Sequence, residues 1–110
     1  MVYQGTSSRG LIFRLNMASV YILYSPSLKK YYIGSCKDLL SRIDDHLVKY
    51  FPDAYTSKVN DWTLFFKIDD LTYSQARKIE LHIKRMKSST YIRNLMEYPE
   101  LVVKIIRKFA

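Results

Sequence analysis

At 110 residues, 48% of them hydrophobic, the chain is long and apolar enough to bury one core, which excludes a disordered tail. One cysteine, Cys36, excludes an internal disulfide framework and fits a reducing compartment, and no apolar run nears the roughly 20 residues of a membrane span. The net charge of +8 is concentrated: residues 77–110 hold nine Lys/Arg against three acids, whereas residues 17–76 hold seven of each sign. That excess reads as a basic patch aimed at a polyanion, or as a solvated basic surface.

Residues 1–16 show no sustained period and contain a Gly-Thr-Ser-Ser turn cluster. With Met17-Ala18-Ser19 reading as a second start, residues 1–18 are expected to be an extension outside the core fold. Residues 20–24 and 31–36 are short runs rich in Val, Ile and Tyr around a Pro-containing turn, the pattern of a β-hairpin. A helix is expected from Asp38, which can cap it, with Leu40, Ile43, Leu47 and Tyr50 on one face and an end before Pro52. After a polar loop, "WTLFFKI" predicts a third strand closed by Asp69-Asp70. Ala76, Ile79, Ile83 and Met86 then mark the buried stripe of a helix beginning near Thr72 or Tyr73. A break at Ser88-Ser89 precedes a short helix to about Glu97, and Pro99 opens a basic amphipathic helix over residues 98–110.

The order β-β-α-β-α-α, with that helical tail, predicts an α+β fold: a small three-stranded antiparallel sheet with helices packed against it. The N-terminus lacks the apolar region of a secretory signal, so a cytoplasmic protein away from membranes is expected.

Chemistry has few places to reside. Arg42 and His46 are four apart on the first expected helix, so they share a face and could hold a phosphate and move a proton. Beside Asp44 and Asp45 the pair taken alone reads more readily as ordinary solvated surface. Glu80 is the one acid between Asp70 and Glu97. It either pairs with Arg77 and Lys84 at helical spacing or offers the single carboxylate that a hydrated Mg²⁺ accepts. His46, His82 and Cys36 lack zinc-ligand spacing, and His82 reads as surface or packing. No glycine-rich phosphate loop or nucleophile elbow appears.

Taken together these residues resemble the GIY-YIG nuclease superfamily, in particular its small single-domain bacterial members. Ser19-Val20-Tyr21 stands where that family has Gly-Ile-Tyr, with Ser19 departing from the glycine, and Tyr32-Ile33-Gly34 is the second half-motif. Tyr21 and Tyr32 are 11 apart; Arg42 follows Tyr32 by ten residues and His46 lies four further on, matching an Arg-x-x-x-His helix. Glu80, within "SQARKIELHIKRMKS", takes the place of the family's metal-binding glutamate. "YTSKVNDW" and "KSSTYIRNLM" also look like segments of the small members. The resemblance covers residues 19–97, and Asn94 stands near a late family asparagine.

The resemblance implies an endonuclease that hydrolyses phosphodiesters, usually in DNA, with Mg²⁺ or Mn²⁺ on Glu80 and no organic cofactor. Tyr21 would activate water, directly or through a relay, with Tyr32 hydrogen-bonding and orienting Tyr21; Arg42 would clamp the phosphate, and His46 would assist proton transfer or contact the phosphate. The five groups would have to line a common open cleft. Gly34, Lys37, Lys49, Lys58, Lys84, Arg85, Lys87 and Arg93 are the expected nucleic-acid contacts, while Tyr24 and Tyr31 read as packing or surface. Two rivals stand beside it: a non-catalytic nucleic-acid binder of the same fold, and an interaction domain that docks through its amphipathic tail. A homodimer or protein partner stays open.

Overall fold

The computed structural model describes residues 18–38 and 59–110. The helix expected from Asp38 to Tyr50, with Arg42, His46 and Lys49, lies outside the described residues, as do Lys58 and the segment 1–17.

Three strands form an antiparallel sheet of order β2-β1-β3: β1 (Ala18–Ser25), β2 (Lys30–Cys36) and β3 (Thr63–Leu71). Three helices follow: α1 (Tyr73–Met86), α2 (Ser89–Glu97) and α3 (Pro99–Lys108). The α+β class, the antiparallel sheet and the helices packed on it are as the sequence pattern implies.

Strand β1 is central, and every side chain from Ala18 to Leu23 is buried. A central strand covered on both faces reads as a continuous apolar run, which explains the weak alternation of "ASVYIL". Ala18, Val20 and Ile22 face a core shared with Ile79, Ile83, Leu95 and Ile105 from the helices. Tyr21 and Leu23 face the other way, with Cys36 and Trp62.

The hairpin turn is tied down by Asp61. Its carboxylate accepts from the buried Ser25 hydroxyl at 2.6 Å and from the Ser27 N–H at 2.8 Å. Lys29, with φ 54, closes the turn by donating its N–H to the Ser25 carbonyl at 2.7 Å. The Ser25 hydrogen bond, first, and those from Ser27 hold the Asp61 carboxyl below its usual range, against the opposing effect of burial.

Strand β3 runs on through Asp69-Asp70, where the sequence predicts its end, to Leu71. Register shifts opposite Ala18/Val20 and Ile22/Leu23 insert extra residues. Asp70 takes φ 63, a left-handed conformation that aspartate tolerates, so an acidic pair that reads as a terminator is a bulge instead. The second irregularity lets the consecutive Phe65 and Phe66 both pack against the helix-side core.

Helix α1 is capped by the Thr72 hydroxyl, which accepts from the Gln75 N–H at 3.1 Å. It buries Ala76, Ile79, Glu80 and Ile83. The apolar stripe stops there: Met86 is 43% exposed, because Lys87 turns left-handed (φ 50) directly after it and diverts the chain. Ser88 caps α2, and Pro99 occupies the first turn of α3. The tail helix is stitched to the domain. Ile105 is buried in the common core, and the Gln75 side-chain amide donates to the Ile106 carbonyl at 3.1 Å.

Candidate active site

Tyr21 pairs across the sheet with Gly34 on β2 and Lys67 on β3, so all three share one face. The tyrosine is 1% exposed, and its ring leans over Gly34. A β-carbon built on Gly34 would stand 2.5 Å from the phenol oxygen and 2.6 Å from Cζ. The glycine is therefore a space requirement, with no unusual backbone angle involved. Tyr32 lies on the same face, its ring 6.4 Å from that of Tyr21 and 6.2 Å from Trp62. Tyr24 and Tyr31 meet as tilted rings with centroids 4.9 Å apart, and Phe65 packs edge-on against Tyr31.

Glu80 is presented by α1 and is 7% exposed. Its Oε1 accepts a short hydrogen bond from the buried Ser35 hydroxyl and a longer one, 3.3 Å, from Arg77. Its Oε2 accepts from Lys84 Nζ at 2.6 Å. The ion pairs are those that helical spacing allows at i−3 and i+4. A buried carboxylate requires partners of this kind to offset its loss of water.

Strand alternation decides where these groups meet. Gly34 looks toward Tyr21; Ser35, one residue on and opposite Val20, looks toward the helices and Glu80. Rather than lining one open cleft, Tyr21 and Glu80 are buried against opposite faces of the sheet and converge at consecutive residues of strand β2. Ser35 is the link that sequence reasoning misses. The available signal is its place next to Gly34 in a strand, which aims a small hydroxyl at the opposite face.

A second unforeseen chain begins at Ser19. Its hydroxyl donates to Asp69 Oδ1 at 2.7 Å, and Asp69 Oδ2 pairs with Lys67 Nζ at 2.9 Å. The serine that departs from the family glycine thus holds the β3 bulge, and through it a lysine on the Tyr21 face.

Several of the basic residues expected to contact nucleic acid have partners within the fold. Lys37 rests its ammonium 5.3 Å over the Tyr73 ring. Lys84 is engaged with Glu80, Lys87 forms the end of α1, and Arg93 donates to Thr90 at 3.4 Å. Arg85 is exposed near that end. Arg42, His46, Lys49 and Lys58 lie outside the described residues. His82, which the sequence leaves as surface or packing, lies 3.0 Å from the Tyr91 hydroxyl and against Phe109. Burial, then Lys108 and Arg85, push its pKa below the usual value, and burial pushes Tyr91 up.

Among the described residues no three metal-ligating side chains cluster. The donor set fits a metal held by one carboxylate. A carboxylate offers about four lone-pair positions. Among the described residues Ser35, Arg77 and Lys84 take three of them, leaving one on Oε2. Magnesium suits such a site, because it retains several waters and draws remaining ligands from a substrate phosphate.

Comparison with known families finds a match to the GIY-YIG catalytic domain over residues 17–93. No curated protein and no solved structure matches the chain. Among the described residues no helix is long and apolar enough to cross a membrane.

Proposed function

We propose a function from one premise: the chain belongs to the GIY-YIG catalytic-domain family, whose model covers 17–93 of its 110 residues. Nuclease-type action on nucleic acid is what that family supports in general. The finer reading is divalent-ion-dependent hydrolysis of a DNA phosphodiester.

In this reading Tyr21 accepts the proton of the attacking water as its oxygen bonds to phosphorus and the bond to the 3′-oxygen breaks. An unperturbed phenol, with a pKa of about 10, is a poor base near neutrality, so neighbouring cations must favour its phenolate. Tyr32 orients Tyr21. Arg42 holds the phosphoryl oxygens, where negative charge builds, and acts more strongly on the transition state than on the ground state. His46 assists proton transfer. Glu80 holds the divalent ion, which when bound supplies Lewis-acid stabilisation to the leaving oxygen. Lys37, Arg85, Lys87 and Arg93 bind backbone phosphates without reading sequence.

The observation that carries the reading is the convergence at β2: Gly34 makes room for the Tyr21 phenol, and Ser35 fixes the Glu80 carboxylate one residue away. The reading needs the scissile phosphate to reach that strand. One observation favours the rival, a non-catalytic binder, since Glu80 is already neutralised by Arg77 and Lys84. Labelled single-stranded, duplex and branched DNAs, incubated with Mg²⁺, Mn²⁺ or EDTA, separate the two. The expected result is metal-dependent cutting that Glu80→Ala abolishes while binding persists. Binding with every DNA intact under both metals would leave only the rival.

A further inference from the structure

We propose that Lys84 is a resident counter-ion at Glu80 Oε2, holding the position a divalent ion takes and withdrawing when one binds, while Ser35 is the fixed half of the same clamp. The proposal rests on the reading of Glu80 as the metal-binding carboxylate.

The three donors around Glu80 differ in how easily they can leave. Ser35 is buried on a strand, and its hydroxyl reaches Oε1 from below the helix. Removing it would strand a buried oxygen, so it stays. Arg77 reaches the same Oε1 at 3.3 Å, with a side chain 60% exposed. Among the described residues Lys84 alone reaches Oε2, at 2.6 Å, and its side chain is 49% exposed. A lysine of this kind can swing its ammonium into water on four methylenes without unpacking anything. Oε2 is thus the exchangeable oxygen and Oε1 the anchored one.

Without a divalent ion a buried carboxylate must still be compensated, and Lys84 does this from within the same helix. A divalent cation at Oε2 would stand next to the ammonium and repel it, so the two occupy the position alternately. The displaced ammonium remains one helical turn from Glu80, on the C-terminal side of α1, within reach of the phosphate that completes the ion's shell. One lysine then stabilises the metal-free domain and contacts substrate in the loaded one. Its competition sets how much free metal the protein needs.

The test is calorimetric Mn²⁺ binding to the full chain, alongside thermal melting in EDTA and in Mn²⁺, for wild type, Lys84→Met, Ser35→Ala and Glu80→Gln. Methionine keeps the stem and suits an exposed helix position, so the fold is retained. Lys84→Met is expected to melt lower in EDTA, yet to bind Mn²⁺ about two- to fivefold more tightly, the worth of a half-exposed ion pair. Ser35→Ala is expected to weaken Mn²⁺ binding by about tenfold or more, the worth of one hydrogen bond to a charged group. Glu80-dependent binding that is unchanged or weaker in Lys84→Met overturns the proposal and leaves the metal reading intact. Equal Mn²⁺ binding by wild type and Glu80→Gln removes the metal from Glu80, and both ideas fall.

Discussion

The hydroxyl of Tyr21 fills the space that a β-carbon on Gly34 would need, standing 2.5 Å from where that atom would be. The two half-motifs are therefore one packing unit. The second ends in glycine because the first ends in a tyrosine that needs the room. Gly34→Ala is expected to lower stability by about 1–3 kcal/mol through overpacking and to abolish cutting by displacing the phenol. Urea denaturation and a cleavage assay on the same preparation check both. Unchanged stability would mean the ring yields freely.

Tyr21→Phe separates packing from chemistry. The ring is retained, and a proton acceptor contributes roughly 10²–10⁴-fold to rate. Cleavage is expected to fall within that range while the far-ultraviolet spectrum and DNA binding persist. Full activity in this variant would transfer the water-activating role to another group.

Ile105 tests whether the tail is an appendage. Its side chain is buried with Ile79, Ile83 and Leu95. Ile105→Ala is expected to destabilise the whole domain by about 2–4 kcal/mol, as for other large-to-small core changes. Lys104→Gln on the same helix, at an exposed position, should leave unfolding unchanged. A tail that only docks a partner would show no difference between the two.

His82 gives stability a pH dependence. Its pKa is lowered from 6.5 in the folded chain by burial and then by Lys108 and Arg85. The unfolded chain therefore takes up the proton first as pH falls, and folding loses free energy below 6.5 until the folded group also protonates. Above that value both states are neutral and the contribution is complete. Melting temperature is expected to decline between pH 6.5 and 5 in the wild type, and to decline less in His82→Gln. Parallel profiles would rule the histidine out as the source.

Local rules reached some of this architecture and missed the rest for identifiable reasons. The hairpin was legible because Ser-Pro-Ser breaks two β-branched and tyrosine-rich runs. Helix α1 was legible because Ala76, Ile79 and Ile83 keep a helical period. Met86 has the same spacing, yet the stripe ends before it, since the left-handed turn at Lys87 redirects the chain and propensity does not foresee that. Asp69-Asp70 carries the composition of a terminator, and only the pairing with β1 converts it into a bulge. The order Tyr21, Tyr32, Glu80 was readable along the chain. Which sheet face each one meets was not, because it depends on register. The clamp of Ser35 on Glu80 joins residues 45 positions apart, beyond any local pattern.

Strand β1 has neighbours on both sides, which bears on how the molecule ages under heat. Amides at Tyr21 and Ile22 are hydrogen-bonded within the middle of the sheet, so their exchange with deuterated solvent requires opening of the entire domain. The phenol is rooted in the last segment to melt. Thermal inactivation should therefore track global unfolding, with no earlier, locally frayed stage in which the domain persists but Tyr21 has lost its setting.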